Sequence, residues 1–466
     1  MSLIVNFITV YLLAFYLITV LQWYNYKLSR IVFHFHKPIW HLIYFVIPIL
    51  TYTVAYKFFW IYLFFGLLPA LILWYRRVKG LVFTSRVKRF LTVVGILETI
   101  NLVFFNKLHY NPGIAALVVL VLSVLISESI EYVLFLKYKS MAKKRLKEIS
   151  PQIVVITASY GKTSIKNFLA QLLSNAYKTP RSVNTLKGII KDINTDMPSN
   201  TKIYIAEAGA REKGDILEIV KFLENEYSIL GKIGPQHIEY FKSLENIKNT
   251  KLEVFKTPNL KKGFSYEVPY NEKVETIKDK ISDIKASLDG LEWNLKIGDD
   301  THHFKCNLLG GFNAINISLA IFQALELGED IKKIKTKVEK LQAVPHRLQK
   351  IEVGGKIIID DSFNGNLEGM IESYNLVKEY PGRKVLITPG IVEATKEQNI
   401  KLAKKIDEVF DLVIITGKVN KKVLNENILN SEKIMLTDKQ KLEKILQEIT
   451  KTGDLILFSN DTPNYL

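Results

Sequence analysis

The segment Thr157–Ser164 carries residue types that are suited to binding a nucleotide. It reads Thr-Ala-Ser-Tyr-Gly-Lys-Thr-Ser and begins at the end of an apolar run, 153–157, that predicts a buried strand. Apolar residues then recur at helical spacing from Ile165 to Ala176. Backbone N–H groups at such a helix start bind phosphate, a lysine reaches the terminal phosphates, and a hydroxyl is a ligand for Mg²⁺. The first glycine of a full Walker motif is Ile156 here, so the pattern is a partial match.

The elements that must position this segment follow a parallel α/β pattern. Beyond residue 150, short apolar runs alternate with amphipathic segments. Further strands are predicted at 202–206, 227–230 and 356–360. A second α/β run fills the C-terminal third, with strands near 384–388, 412–416 and 454–458 and helices near 369–379, 397–409 and 438–449.

The first 136 residues contain five apolar stretches that are long enough, or nearly long enough, to span a bilayer. They are 3–22, 40–56, 58–75, 90–106 and 114–136. Lys and Arg cluster after the first, third and fifth stretches, whereas the alternate loops carry only Lys57 and Lys107. The positive-inside rule therefore predicts a multi-pass protein of the inner (cytoplasmic) membrane, with its amino terminus outside and everything after residue 137 in the cytoplasm.

Three carboxylates, Glu98, Glu128 and Glu131, lie inside the predicted spans. A carboxylate is costly within a bilayer and usually faces a bundle interior or water, so these residues are candidate contacts with a membrane partner. The alternative is that they lie near the interface or are protonated.

The net charge of +17 is distributed unevenly along the chain. Residues 1–150 hold 17 Lys and Arg against 4 Asp and Glu, a net of +13, which leaves +4 for residues 151–466. The basic excess is therefore predicted to orient membrane segments and to contact anionic membrane lipid, and no nucleic-acid partner is predicted. Cys306 is the only cysteine, which excludes a disulfide scaffold.

The predicted fold class is an N-terminal all-α transmembrane bundle followed by α/β domains: a P-loop, parallel-sheet central ATPase domain and a Rossmann-like C-terminal domain. The predicted boundaries are 1–148, 149–343 and 344–466.

Six motifs, in order along the chain, resemble those of the Mur ligases, the ATP-dependent amide-bond-forming enzymes of peptidoglycan synthesis. They are Thr157–Ser164, Ser182–Thr185 with Gly188, Glu207–Ile216, Ile233–His237 with Lys251-Leu-Glu253, Gly310–Asn316, and His346-Arg347 with Asp360–Asn366. The resemblance covers residues 151 to about 400.

The resemblance implies residues that contact ATP in two regions. In the first region they are Ser159, Gly161, Lys162, Thr163, Ser164, Asn313 and Asn316, with the two asparagines on the adenine side. Arg347 and Asp361 are implied to reach ATP from the C-terminal domain, so that domain closure assembles the site.

Two magnesium ions are implied as well. Thr163 and Glu207 would hold one, and His237 and Lys251 would serve the second. Lys251 is implied to be carbamylated, which converts a cation into a carboxylate-like ligand. The implied catalytic residues are Lys162, His237 and Lys251, with Lys162 neutralising the transferring phosphate.

The string Asp361–Asn366 is most similar to the D-S-Y-N-A-N-P string of the members that add D-alanyl-D-alanine. The implied function is ligation of this dipeptide to a UDP-linked muramyl tripeptide through an acyl phosphate. The implied substrate contacts are Asn184, Thr185, Ser362, Asn364 and Asn366.

Several departures keep the substrate open. Ala158, Phe312 and Leu367 replace a glycine, a histidine and a proline of the family pattern, and membrane spans take the place of the family's UDP-binding domain. One alternative is a Mur-like ligase acting on poly-γ-glutamate or a lipid-linked acceptor. A second alternative is a non-catalytic scaffold that recruits membrane-bound cell-wall enzymes, which the presence of Lys162, Glu207, His237 and Lys251 disfavours.

Overall fold

The structure, a computed structural model, describes residues 2–24, 26–28, 31, 37–78, 80–108, 110–180, 183–235, 241–363, 365–392, 394–417 and 419–460. The chain forms two compact units, Met1–Lys139 and Ser140–Leu466. Each unit has apolar clusters of its own.

The first unit is helical. Its helices are Ser2–Trp23 (α1), Ile39–Val54 (α2), Phe59–Tyr75 (α3), Ser85–Leu108 (α4) and Pro112–Ile149 (α5), the last of which continues into the second unit. Each predicted apolar stretch coincides with one of these helices, although α4 begins at Ser85 where 90 was predicted and α5 ends at Ile149 where 136 was predicted. Among the described residues, α1 and α5 are long and apolar enough to cross a membrane, and α2 and α3 are shorter apolar helices. The five spans and their orientation stay predictions.

Aromatic side chains join three helix ends of the first unit. The Trp74 ring centroid lies 5.6 Å from that of Trp23 and 6.1 Å from that of Trp40. Gln22 Nε2 also donates to the carbonyl oxygen of Val82 at 2.8 Å. The end of α1, the start of α2 and the end of α3 therefore lie at one end of this unit.

The three carboxylates of the predicted spans all have polar partners inside the first unit. Glu98 is fully buried and accepts hydrogen bonds from Asn6 Nδ2 and Asn101 Nδ2, each at 3.0 Å. Glu128 forms an ion pair with Arg86, and Glu131 forms one with Arg89.

The second unit begins with a six-stranded, wholly parallel sheet of order β2-β3-β1-β4-β5-β6. Its strands are Gln152–Thr157 (β1), Ala176–Lys178 (β2), Ile203–Glu207 (β3), Tyr227–Leu230 (β4), Lys262–Ser265 (β5) and Val274–Thr276 (β6). The helices of this region are Lys162–Leu172 (α6), Leu186–Thr195 (α7), Asp215–Leu223 (α8), Leu244–Lys251 (α9), Phe312–Glu326 (α10) and Ile331–Glu339 (α11). In the register, Ile156 is opposite Glu207, so β1 and β3 end at the same edge.

A small antiparallel sheet covers part of this region. It consists of Ile281–Ser287 (β7), Gly290–Ile297 (β8) and Asp300–Cys306 (β9). Its Trp293 and Phe304 rings stack at 5.5 Å and are buried in the same apolar cluster as helices α6 and α10.

A second six-stranded sheet has the order β10-β11-β15-β12-β13-β14. Its strands are Gln349–Val353 (β10), Lys356–Asp361 (β11), Lys384–Thr388 (β12), Leu412–Thr416 (β13), Glu432–Leu436 (β14) and Leu455–Ser459 (β15), and only the β10–β11 pairing is antiparallel. Its helices are Leu367–Lys378 (α12), Lys396–Val409 (α13), Lys421–Asn427 (α14) and Leu442–Ile449 (α15). The predicted α/β class with parallel sheets is confirmed. The boundary at 343/344, between α11 and β10, stays a prediction.

Candidate functional site

The loop between β1 and α6 is shaped by close contacts that only small residues allow. Gly161 has φ +85°, and a Cβ there would lie 2.3 Å from Asn316 Oδ1. A Cβ at Gly231 would lie 2.8 Å from Ala158 Cβ, and one at Gly234 would lie 2.3 Å from the Tyr160 ring. The loop is therefore packed between the segment that follows β4 and the first turn of α10.

Lys162 is the first residue of α6, and its ammonium group turns back onto the loop. Nζ donates to the carbonyl oxygens of Ala158 at 2.7 Å and Ser159 at 3.2 Å. Burial lowers the pKa of Lys162 to about 8, Glu207 opposes this shift, and the Arg347 guanidinium adds to it. A cation is thus held at the start of a helix, where N–H groups lack intrahelical acceptors.

Glu207 ends β3 and lies beside α6. Thr163 Oγ1 donates to Glu207 Oε2 at 3.0 Å, and Lys166 Nζ lies 3.1 Å from the same oxygen. The side chains of Lys166 and Glu207 are 1% and 4% exposed. A hydroxyl and a carboxylate, both hard oxygen ligands, therefore meet at the carboxyl edge of a parallel sheet, where ligands bind in such folds.

Lys251 is a buried lysine at the end of α9. Burial and the nearby Lys162 lower its pKa well below the usual range, although Glu207, Asp215 and Glu253 oppose this shift. The low pKa favours the neutral amine form of Lys251.

Glu253, two residues on, has a structural role. Its carboxylate accepts hydrogen bonds from Gly214 N at 2.8 Å and Leu217 N at 3.1 Å. These N–H groups flank the start of α8, so Glu253 caps that helix.

The two asparagines of the Gly310–Asn316 segment are buried at the start of α10. Asn313 Nδ2 donates to Leu309 O at 2.8 Å, and Asn316 Nδ2 donates to Asn313 Oδ1 at 3.2 Å. Asn316 also lies against Gly161, so these residues contact the loop between β1 and α6. Among the described residues, the buried Ser159 Oγ has no hydrogen-bond partner.

The segment after Pro345 contacts the end of β11. His346 has φ +63°, and its Nδ1 is hydrogen-bonded to Asp360 Oδ2 at 2.7 Å. Ser362 is hydrogen-bonded to Asp360 as well, and Arg347 NH1 donates to Phe363 O at 2.6 Å.

Asp361 holds the same region together through its two carboxylate oxygens. Oδ1 accepts from Leu348 N at 3.2 Å and Oδ2 accepts from Ser373 Oγ at 3.1 Å. Of the predicted C-terminal ATP contacts, Arg347 is within electrostatic reach of Lys162, whereas Asp361 makes contacts within the C-terminal region.

The predicted substrate residues are distributed over two places. Asn184 lies against Gly209, whose N–H donates to Asn184 O at 2.8 Å. Thr185 and Asn366 cap helices α7 and α12 by accepting from Gly188 N and Gly369 N. His237 and Asn364 lie outside the described residues.

The described residues fit a nucleotide better than a preformed metal cage. An unpartnered buried hydroxyl, a glycine cradle and a lysine at a helix start suit a phosphate chain. Within the part of the chain that the structure describes, no three His, Cys, Asp or Glu side chains gather as a metal site. Thr163 and Glu207 fit Mg²⁺, which usually keeps several waters and takes few protein ligands.

Sequence reasoning missed Lys166, which is in contact with Glu207. The available signal was its position three residues after Thr163, because residues at that spacing share a helix face. Sequence reasoning also gave no role to Asp360, which joins His346 to Ser362.

Comparison with known proteins shows which family this region of the chain is similar to. Residues 156–324 match the family described as the Mur ligase middle domain. The UDP-N-acetylmuramoyl-tripeptide–D-alanyl-D-alanine ligase of Bacillus subtilis (strain 168) is 25% identical over 350 residues, which cover 69% of this chain and 75% of the relative.

Solved structures give the same result. The MurF ligase from Thermotoga maritima in complex with ADP is 25% identical, with a TM-score of 0.60 over 70% of this chain and 80% of that one. A pseudomurein peptide ligase type C from Methanothermus fervidus, at 17% identity and a TM-score of 0.53 over 68% and 78% of the two chains, shares the fold. Residues 156–324 therefore match the Mur ligase middle domain, and the chain is similar in sequence and fold to MurF ligases.

Proposed function

We propose that this protein joins D-alanyl-D-alanine to UDP-N-acetylmuramoyl-tripeptide at the expense of ATP, the reaction for which its relatives are named. The observation that carries the proposal is the meeting of Lys162, Thr163 and Glu207 where β1, β3 and α6 converge. The T. maritima MurF ligase in complex with ADP supports the use of ATP.

The reaction has two steps. The tripeptide carboxylate attacks the γ-phosphorus of ATP, forming an acyl phosphate and releasing ADP. The dipeptide amine then attacks the acyl carbon, the C–O bond to phosphate breaks, and the amide, inorganic phosphate and a proton are released. Lys162 would offset the charge that builds up as the γ-phosphate transfers.

Thr163 and Glu207 would hold one Mg²⁺, and His237 and Lys251 would serve a second. Bound Mg²⁺ neutralises phosphate charge and brings the ATP and carboxylate anions together. The lowered pKa of Lys251 supports carbamylation, because a neutral amine is the form that attacks CO₂. The product carbamate carries a negative charge, which the nearby Lys162 would offset.

The remaining residues of the proposed site would contact ATP, the acceptor and the dipeptide. Asn313 and Asn316 would contact the adenine side of ATP. Its phosphates would be contacted by Ser159, Gly161 and Ser164. Arg347 and Asp361 would act from a C-terminal domain of residues 344–466. The acceptor and dipeptide would contact Asn184, Thr185, Ser362, Asn364 and Asn366.

The first unit would span the inner membrane five times with its amino terminus outside, and the ligase region would lie in the cytoplasm. Two long apolar helices support membrane association. The grouping of Trp23, Trp40 and Trp74 supports the orientation, because tryptophans favour the interface and these residues adjoin the basic loops. Membrane lipid and membrane-bound cell-wall enzymes would then be its partners.

The apolar helical unit also favours a second candidate, a Mur-like ligase that acts on a lipid-linked acceptor or poly-γ-glutamate. A non-catalytic scaffold is disfavoured by the Lys162–Glu207–Lys251 arrangement.

The test of the proposed function is ADP release by the full chain in detergent. The substrates are a panel of UDP-linked muramyl peptides, lipid-linked muramyl peptides and glutamate chains, each with and without D-alanyl-D-alanine. Release only with the UDP-linked tripeptide plus dipeptide supports the proposal, and release with another acceptor rejects it.

A further inference from the structure

Lys166 and Glu207 form a buried ion pair beside the proposed ATP site. Lys166 Nζ lies 3.1 Å from Glu207 Oε2, and the two side chains are 1% and 4% exposed. Thr163 donates to the same oxygen at 3.0 Å. Because Lys166 follows Thr163 by three residues, both side chains approach Glu207 from one face of α6.

The same ammonium group also contacts the chain after β2. Lys166 Nζ donates to Pro180 O at 3.4 Å, and the Glu207 backbone N–H donates to Thr179 Oγ1 at 3.3 Å. Since β2 is the neighbour of β3 in the sheet, Glu207 is held from α6 and from the end of β2 at once.

Three lysines near Glu207, namely Lys162, Lys166 and Lys251, differ in their distance from its carboxylate. Lys162 and Lys251 interact with Glu207 at longer range, whereas Lys166 touches it. Oε2 accepts a hydrogen bond from Thr163 and forms the ion pair with Lys166, whereas Oε1 accepts no hydrogen bond from the part of the chain that is described. A carboxylate out of water needs a cation partner, and the free oxygen needs a ligand or solvent.

We propose that Lys166 is a positioning residue of the metal–nucleotide site, which fixes the Glu207 carboxylate and leaves its second oxygen available to the magnesium ion. The inference rests on the ATP site of the proposed function and is independent of the acceptor's identity. Lys166 acts through Glu207 and does not touch the nucleotide.

The test is ADP binding to the full-length protein, measured by calorimetry with saturating Mg²⁺ and again with EDTA. With saturating Mg²⁺, Lys166→Met should weaken ADP binding by about tenfold or more, because loss of a residue that orients a metal ligand weakens metal binding. With EDTA, the same variant should weaken ADP binding by less than about threefold. Lys166→Arg keeps a cation beside Glu207 and should retain most of the Mg²⁺-dependent affinity. Lys178→Met is the matched control, because Lys178 pairs with Asn167, and it should leave both affinities unchanged.

An equal loss with and without Mg²⁺, or no loss at all, would overturn the inference. If Lys166→Met does not fold, Lys166→Gln keeps a donor without the charge and is judged by the same comparison. In a Glu207→Gln background, Lys166→Met should cause no further loss of Mg²⁺ dependence, and a further loss would contradict action through Glu207. If the unaltered protein binds Mg²⁺ and ADP normally but does not ligate the proposed substrates, only the proposed acceptor is rejected. If the unaltered protein does not bind ADP, the ATP site and this inference are both rejected.

Discussion

Gly161 and Asn316 lie so close that no side chain fits between them. A Cβ at Gly161 would lie 2.3 Å from Asn316 Oδ1, and the asparagine is itself hydrogen-bonded to Asn313. The start of α10 therefore closes directly onto the loop between β1 and α6. Two segments separated by about 150 residues in the sequence thus form one wall of the site.

Gly161→Ala should abolish detectable ADP binding. The substitution forces a clash with Asn316 and places a Cβ at φ +85°. Gly453→Ala is the matched control, since Gly453 has φ +88° with no atom within 4 Å of its Cβ position, and it should cost only ~1–2 kcal/mol of unfolding free energy with normal binding. Calorimetry and thermal unfolding of both variants check this, and normal ADP binding by Gly161→Ala would mean that the loop is not the phosphate site.

Lys162→Ala should lower turnover on the order of 10²-fold or more without unfolding the protein. Its ammonium group contacts loop carbonyls and contributes to no apolar cluster. Steady-state ADP release and a thermal unfolding curve measure the two effects. Turnover near that of the unaltered protein would reject the assignment of Lys162 to the transferring phosphate.

Lys251→Ala should be inactive, and added formate or acetate should partly restore its activity. The reason is that a carbamate on Lys251 supplies a carboxylate-like ligand, which a free carboxylate replaces. Lys248→Ala, on the same helix, is the control and should keep its activity with or without added acid. Inactivity that no acid relieves would leave Lys251 without a carbamate role, and full activity would remove it from the site.

A chain of residues 140–466 should fold and bind ADP, because this unit contains both six-stranded sheets and their apolar clusters. It also keeps Lys143 and Arg145, which donate to Phe222 O at 3.0 Å and Met197 O at 2.6 Å. If the first unit helps to capture the acceptor, KM for the UDP-linked acceptor should rise by roughly tenfold or more. Equal KM values for the shortened and full chains, in one detergent, would show that the first unit only anchors.

The strands of the two six-stranded sheets were predicted best where the buried apolar runs of the sequence are continuous. The strands near 203–207, 227–230, 384–388 and 412–416 lie where they were expected. The antiparallel sheet 281–306 was missed, because polar and charged side chains interrupt the apolar runs of its strands.

The candidate site was predicted only as far as local spacing reaches. The helix start at Lys162 follows from the Gly-Lys-Thr-Ser string, whereas the Lys166–Glu207 pair depends on α6 packing beside β3. The Gly161–Asn316 contact likewise depends on the packing of α10 against the loop between β1 and α6. No local sequence pattern predicts that packing.

The most direct test of the proposed function uses a tripeptide acceptor whose terminal carboxylate carries oxygen-18. The purified full-length protein is incubated with this UDP-linked acceptor, ATP, Mg²⁺ and D-alanyl-D-alanine, and the phosphate and peptide products are analysed by mass spectrometry. An acyl-phosphate route predicts one oxygen-18 atom in each inorganic phosphate, one ADP per amide formed, and a product lengthened by two alanines. Unlabelled phosphate, or ADP release without the lengthened product, would contradict it.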